Sequence, residues 1–542
     1  MLGQMQDRPL LVSSLMEQAE KFHRNQEIVT RTVEGPIHRC TYGDVGLRSR
    51  KLAQGLLKLG LELGDRIGTL GWNTFRHVEV WYGVTGIGAV THTVNPRLYE
   101  DQIAYIINHA ENKYIFTDTS FVEILERLEP QLETVQGFII MADRQHMPET
   151  SLKNAICYEE LVEAEDGDYE WPTFDENTAA AMCYTSGTTG NPKGVLYSNR
   201  SCVLHAMMTA TPDILNVGSS SVVLPVVPMF HANGWGIPHV APMIGAKLVL
   251  PGPHMDGDSI YELLSDEKVT FTAAVPTVWL MLLTHIEEND LALPDLQRVV
   301  IGGSAAPRSM IETFETKYGV TVGHAWGMTE LNPLGSLGIM KAGMEDLPYE
   351  TLLDFKCKQG RGVYGVEFKI TDDEGIPQPW DGKSSGHLMV RGPWVVESYY
   401  RGEGGEILDD EGYFDTGDIA HIDEEGFIQL TDRAKDVIKT GGEWISSIDL
   451  ENAAVGHPDL AECAVIGVYH PKWDERPLLL AVPAVGKTPN KESVMDYLSE
   501  KIVKWWMPDD VVFVDELPHT ATGKLLKTKI RDEYKDYKLP TY

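Results

Sequence analysis

The strongest chemical signal lies at residues 184–195, Tyr-Thr-Ser-Gly-Thr-Thr-Gly-Asn-Pro-Lys-Gly-Val. An apolar run over 179–183 leads the chain into a dense set of hydroxyls, three glycines and one lysine. Glycine lets backbone N–H groups converge on an anion, hydroxyls add donors, and lysine brings a mobile positive charge. A loop of this kind grips a polyphosphate. It is not a Walker A loop, because Pro192 precedes the lysine and Gly194 follows it. A plain Ser/Thr/Gly surface loop is the bland alternative, and such loops rarely follow a buried strand with this density of donors.

Six further segments follow in order: Pro-Met-Phe-His at 228–231, Gly-Gly-Ser at 302–304, Gly-His-Ala-Trp-Gly-Met-Thr-Glu at 323–330, Tyr-Phe-Asp-Thr-Gly-Asp at 413–418, the stretch 433–451, and Pro-His-Thr-Ala-Thr-Gly-Lys at 518–524. Singly, these read as a Gly-Gly turn, a core tryptophan, a turn-capping aspartate and a solvated lysine. In order behind the 184–195 loop, they resemble the adenylate-forming superfamily of acyl-CoA synthetases, luciferases and peptide-synthetase adenylation domains. The resemblance covers essentially the whole chain.

It implies a two-step ligase using ATP, Mg²⁺ and coenzyme A. A carboxylate attacks the α-phosphate of ATP to give an acyl-adenylate and pyrophosphate, and a thiol then displaces AMP. Charge builds on a crowded phosphorus centre, so donors and cations matter more there than a strong base. By the resemblance, Ser186, Gly187, Thr188, Thr189, Gly190 and Lys193 hold the pyrophosphate end. Thr185 and Glu330 ligate Mg²⁺, a hard cation that prefers oxygen. Thr329 donates to the α-phosphate, and Asp418 and Arg433 hold the ribose. Trp326 stacks on adenine within the segment His324, Ala325, Trp326 and Gly327, while Gly302, Gly303 and Ser304 lie flat against base and acyl group.

Lys524 is the implied main catalytic residue, bridging the substrate carboxylate and the α-phosphate. Lys435 matches the hinge about which the small C-terminal domain turns. The turn brings in Lys439, Gly441, Gly442, Glu443 and Trp444 to line a tunnel for the pantetheine arm. His231 is the implied gating histidine, with a satisfied core imidazole as its ordinary alternative, and Trp235 is the implied gate to the acyl tunnel. Around these positions no charged residue stands out as an anchor for an amino or second carboxyl group, which favours an uncharged aliphatic acid. Within the superfamily the chain looks like the medium- and long-chain fatty acyl-CoA ligases, most of all those acting on 3-methylmercaptopropionate. A medium- or long-chain fatty acid is the alternative, and a luciferase-like oxygenase is the rival class. The subfamily also implies a homodimer.

Several elements must position these groups. Asp44 is expected to cap a helix whose Leu47, Leu52, Leu56, Leu57 and Leu59 share one face, ended by Gly60 and Gly64. Strands are expected over 66–70 and 114–117, with helices over 75–89 and 101–110. Strands recur over 222–227, 247–250 and 298–301. That rhythm predicts α/β layers on a mostly parallel sheet. Gly83, Gly86 and Gly88 read as close helix packing rather than a dinucleotide loop. After Lys358 short strands (367–371, 386–391, 420–422, 427–430) alternate with acidic turns ending at Gly375, Gly412 and Gly426, which is hairpin chemistry. A compact α/β tail begins near Arg433. The expected fold is therefore α/β: a large N-terminal domain with a β-rich subdomain (1–432) and a small mobile C-terminal α/β domain (433–542).

Composition bounds the rest. The 542 residues carry 46 Lys plus Arg against 80 Asp plus Glu, a net charge of −34. Such a surface repels nucleic acid and anionic membrane. The six cysteines show no paired spacing and read as reduced thiols. The N-terminus lacks a signal-peptide pattern and no apolar run reaches membrane-spanning length, so the expected setting is cytoplasmic, with no integral membrane segment.

Overall fold

A computed structural model describes residues 1, 3–185, 191–440, 443–519 and 525–542, with the side chains of 443 and 444 excepted. The chain is a mixed α/β protein that divides into two units. The larger contains residues 1–185, 191–366 and 392–407; the smaller contains 367–391 and the described part of 408–542.

In the larger unit, the strand pattern builds a seven-stranded sheet among the described residues. Its spatial order is Ala155–Cys157, Gly137–Ile140, Asn112–Thr117, Arg66–Leu70, Val90–Thr93, Ala179–Tyr184 and Gly194–Ser198, parallel except for the last hairpin. Alternate residues of one strand feed opposite cores. Phe116 and Ile139 pack with Leu52, Leu56 and Val80 on one face, while Ile115, Phe138 and Ile140 pack with Ile103, Ile107 and Leu125 on the other. A parallel sheet covered on both faces needs this apolar alternation.

A nine-stranded sheet lies in the same unit. Its parallel centre contains Val222–Pro225, Lys247–Leu250, Phe271–Ala274, Arg298–Ile301 and Thr321–Gly327.

In the smaller unit, the strands Glu367–Thr371, Gly386–Arg391, Phe414–Ile422 and Ile428–Arg433 form an antiparallel meander. Gly375, Gly412 and Gly426 take φ values of 82°, 80° and 83°, as the acidic hairpin turns require. Among the described residues a five-stranded sheet centred on Leu460–His470 and Asp474–Pro483 carries the helices Ser447–Val455 and Lys491–Ser499 on one core and Lys527–Tyr534 on the other.

Several expectations need correction. The first long helix runs Tyr42–Lys58 and is capped by Thr41, with Asp44 at the third helical position returning the capping-box bond. Leu52 and Leu56 are buried but Leu47 and Leu57 are exposed, because the buried stripe also runs through Val45, Ser49 and Ala53. The next helix stops at Gly86, where the chain turns through Ile87 and Gly88 into the strand Val90–Thr93. The strand at 222 ends at Pro225, and the strand expected at 420–422 begins six residues earlier, at Phe414.

Close helix packing describes Gly83, whereas Gly86 meets the Trp171 ring, which lies outside any helix, and Gly88 sits past the helix end with φ 80°. A Cβ on Gly83 would come within 2.9 Å of Leu52 Cδ2, and one on Gly86 would overlap the Trp171 ring. The six cysteines form no disulfide. No helix among the described residues is long and apolar enough to cross a membrane.

Candidate active site

The phosphate-type loop is closed at its base by its two described ends. Ala179–Tyr184 and Gly194–Ser198 pair antiparallel, with Tyr184 opposite Gly194. Beyond that pair, Thr185 N–H donates to the Lys193 carbonyl at 2.9 Å, and Lys193 N–H donates to Thr185 Oγ1 at 3.1 Å. The hairpin thus delivers a threonine hydroxyl and a lysine side by side. Ser186, Gly187, Thr188, Thr189 and Gly190 lie outside the described residues.

One tyrosine links this base to the 323–330 segment. The Lys193 ammonium stands 4.8 Å from the centre of the Tyr399 ring, a cation–π distance. The Tyr399 hydroxyl donates to Glu330 Oε1 at 2.7 Å. Glu330 is buried, and such a carboxylate must be paired or hydrogen-bonded. Next to it, the Thr329 carbonyl accepts from the Tyr197 hydroxyl at 2.6 Å, which holds the short turn Thr329–Leu331 onto the hairpin strand. Lys193, Thr185, Glu330 and the Thr329 backbone are thereby tied into one assembly. No cluster of three or more His, Cys, Asp or Glu residues that could hold a metal occurs among the described residues.

Thr321–Gly327 presents the aromatic segment. His324 is buried; its Nδ1 lies 3.0 Å from the Cys357 carbonyl and its Nε2 accepts the Ala306 N–H at 3.2 Å. Burial pushes its pKa down to about 4, so the ring is neutral with its proton on Nδ1. Trp326 is buried against Gly335, where a Cβ would come within 2.4 Å of its ring. Ala325 is likewise buried, while Gly327 and Ser304 are exposed.

Residues 232–236 form a left-handed turn, with φ values of 39°, 52°, 64°, 55° and 74°. Three of the five are not glycine, and each such residue costs roughly 1–2 kcal/mol. Asn233 anchors the turn: its Oδ1 accepts from Thr93 Oγ1 at 2.9 Å and from Cys183 Sγ at 2.8 Å. The turn sets the Trp235 indole against the diglycine. A Cβ on Gly302 would lie 3.0 Å from Trp235 Cη2, and one on Gly303 would lie 4.0 Å from Cζ2. His231 begins this turn, its carbonyl accepting the Gly234 N–H at 3.0 Å.

In the smaller unit Asp418 and Arg433 face each other across paired strands. Arg433 Nε donates to Asp418 Oδ1 at 2.9 Å, and Arg433 Nη1 donates to the Thr416 carbonyl at 3.1 Å. Asp418 is buried, so the pair is presented from a fixed floor. Lys435 follows in an exposed turn, its pKa lowered by partial burial. Lys439 N–H donates to Glu475 Oε2 at 3.0 Å. Gly441, Gly442 and Lys524 lie outside the described residues, and Glu443 and Trp444 are described only as the start of the strand Glu443–Ile445.

Nothing in the linear chain singles out Tyr399 or Tyr197, and Asn233 reads there only as one of the small or apolar residues beside Trp235. Tyr399 belongs to the aromatic pair of Ser-Tyr-Tyr-Arg-Gly at 398–402, a usable signal only once a partner is known. Asn233 left one hint, an Asn-Gly pair beside a tryptophan, since asparagine tolerates left-handed backbone.

The AMP-binding enzyme family matches residues 15–400, and the AMP-binding enzyme C-terminal domain matches 449–524. A 3-methylmercaptopropionyl-CoA ligase of Ruegeria lacuscaerulensis is 49% identical, with 99% of each chain covered. A medium-chain-fatty-acid–CoA ligase of Ectopseudomonas oleovorans is also 49% identical, over 99% of this chain and 98% of its own. Among solved structures, an anthranilate CoA ligase in complex with anthranoyl-AMP superposes with a TM-score of 0.85 at 22% identity, covering 98% of this chain and 99% of the other.

Proposed function

The chain belongs to the AMP-binding enzyme family and is an AMP-forming acid–thiol ligase that uses ATP and coenzyme A, and from that premise we propose that its acid is short, uncharged and aliphatic, 3-methylmercaptopropionate first. Identity does not separate this acid from a medium-chain fatty acid, because the two relatives stand at the same 49%. The observation that carries the reading is the seat of Trp235 on Gly302 and Gly303. An indole held there by a left-handed turn covers the diglycine, where an extended acyl chain would otherwise run. Sulfur also gains about 0.3–1.5 kcal/mol from contact with an aromatic edge, which a methylene of similar size does not. A medium- or long-chain fatty acid is the second reading, and it requires the indole to swing aside.

In the first half-reaction a carboxylate oxygen bonds to the α-phosphorus and the bond to pyrophosphate breaks. Lys193, with Ser186, Gly187, Thr188, Thr189 and Gly190, holds the departing pyrophosphate. Thr329 donates to the α-phosphate, and Lys524 bridges it to the carboxylate. Asp418 and Arg433 take the ribose, and Trp326 with His324, Ala325, Gly327 and Ser304 frames the base. The neutral His324 ring acts through the backbone it fixes at Ala306. Thr185 and Glu330 offer the hard oxygens that suit Mg²⁺ and would hold it together with the phosphates. When bound, the ion neutralises phosphate charge.

In the second half-reaction the thiol sulfur bonds to the acyl carbon, AMP leaves, and the thiol proton passes to solvent. Residues 433–542 form the mobile domain, Lys435 is its hinge, and Lys439, Gly441, Gly442, Glu443 and Trp444 line the thiol's path past His231. By family resemblance alone the protein is a cytoplasmic homodimer, which light scattering on the purified chain checks.

A CoA-dependent AMP-release assay over acids from acetate to palmitate tests the substrate. The expected result is the highest kcat/KM with 3-methylmercaptopropionate. A higher value with octanoate or palmitate replaces it with the fatty-acid reading.

A further inference from the structure

The helix Glu100–His109 ends with two rings one turn apart, Tyr105 and His109, stacked with centroids 5.3 Å apart and planes 10° apart. Residues at that spacing share a helix face. The histidine reaches the base of the phosphate-type loop: His109 Nδ1 lies 2.8 Å from the hydroxyl of Tyr184, which leads into the loop. The same two rings hold Glu403, whose Oε1 is 3.4 Å from His109 Nε2 and 3.4 Å from the Tyr105 hydroxyl. Its other oxygen, Oε2, is buried without a partner among the described residues.

Glu403 sits in a segment bearing directly on Lys193. Tyr399 carries the lysine ammonium on its ring, and a Cβ on Gly404 would come within 3.2 Å of Lys193 Nζ. Gly402, Gly404 and Gly405 all take positive φ, at 70°, 81° and 69°. A chain with that much backbone freedom stays over the lysine only if something pins it. The neutral tautomer of His109 does so at both ends: Tyr184 O–H donates to Nδ1, and the Nε2 proton faces Glu403.

We propose that His109 is a positioning residue of the nucleotide half-site, tying the base of the phosphate loop to the Tyr399–Gly405 segment so that Lys193 meets ATP in a fixed place. The proposal rests on the reading of Lys193 as a phosphate ligand. It assigns no contact between His109 and substrate, so the effect appears in ATP and pyrophosphate binding and not in the acid or the thiol.

The test is ATP–pyrophosphate exchange, with KM for ATP and for the acid measured separately, on His109→Phe, Glu403→Leu and the double variant, alongside thioesterification of supplied acyl-adenylate. Each single change is expected to raise KM for ATP about tenfold, with the double variant no worse than the worse single, since both remove one connection. KM for the acid and the thioesterification rate stay within about twofold of the parent. His109→Gln, which keeps a donor toward Glu403, recovers part of the loss. Additive losses in the double variant, or equal losses for ATP and acid, overturn the proposal. Should His109→Phe fold poorly, Tyr184→Phe decides, since it removes one oxygen; an unchanged KM for ATP there overturns it as well. Lys193→Ala is the control: if it leaves KM for ATP unchanged, the phosphate-ligand reading fails instead.

Discussion

A single ring joins the two charges of the candidate nucleotide site, with Lys193 over the face of Tyr399 and Glu330 on its hydroxyl. Removing that hydroxyl leaves the ring under the lysine but strips a hydrogen bond from a buried carboxylate. Such a loss costs about 1–3 kcal/mol. Tyr399→Phe should therefore lower the thermal midpoint, and with Glu330 no longer held in place it should lower the adenylation rate as well. Activity equal to the parent would deny Glu330 a part in the first half-reaction.

Trp235 makes a second prediction of this size. Trp235→Ala uncovers Gly302 and Gly303, and each methylene that enters the space gains about 0.8 kcal/mol. The preference should move toward longer acids, by about fourfold per added CH₂ until the space is filled. A chain-length profile that drops uniformly would mean the indole is only structural.

Lys524→Ala should lower adenylation by about a hundredfold or more, as loss of one charge-stabilising group does. Thioesterification of supplied acyl-adenylate should survive it better. Equal loss in both half-reactions would contradict the role given to that lysine.

Between helices, contact is set by what is missing from a residue as much as by what is present. The helix Tyr42–Lys58 meets Phe75–Gly86 at Gly83, where a Cβ would approach Leu52 Cδ2 at 2.9 Å and the Ser49 carbonyl at 3.1 Å. The leucine tip can turn away, but the carbonyl cannot. Gly83→Ala should destabilise the fold by about 1–3 kcal/mol despite the better helix propensity of alanine. Calorimetry on the purified variant reads this directly, and an unchanged or raised midpoint would show that the helices have slack. The left-handed turn at 232–236 obeys the same logic. Gly236 has φ 74° and a neighbouring His205 ring 2.7 Å from any added Cβ, so both backbone and space demand glycine there.

Across the larger unit, five histidines are buried and neutral. Desolvation holds His77, His92, His239 and His324 at about 4, and His205 at about 3. An unfolded histidine takes its proton near pH 6.5, so between pH 6.5 and 4 the unfolded chain binds more protons than the folded one. Stability must then fall as pH falls through that window. At pH 5 each histidine contributes on the order of 1–2 kcal/mol of loss. Opposing it, burial raises Asp118 to about 7 and Glu79 as well, and in the smaller unit raises Glu451 to about 7 and Asp449 to about 6; all four favour the fold when protonated, and acid also relieves the repulsion of a −34 surface. Roughly molar salt screens the repulsion but not the buried rings. In such salt the thermal midpoint should drop by at least about 5 °C between pH 7 and pH 5. A midpoint that holds or rises would mean the acidic surface, not the histidines, governs acid behaviour.

Local chemistry made much of this legible in the linear chain. The hydroxyl–glycine–lysine loop, the Gly-Gly pair and the acidic hairpin turns each demand residue types that few other structures tolerate. The strands Arg66–Leu70, Lys247–Leu250, Arg298–Ile301 and Gly386–Arg391 have the bounds expected from the linear pattern. Thr41 displaced Asp44 as a cap because the choice depends on which residue stays extended, and a hydroxyl and a carboxylate three apart serve either way. Contacts between distant segments left no local mark. Tyr399 reaches Glu330 across 69 residues, Asn233 reaches Cys183 across 50, and His109 reaches Tyr184 across 75. A side chain's neighbours along the chain limit its backbone, whereas its partners in space depend on which strands pair and which faces are buried. Those partners became known only when the sheets closed around them.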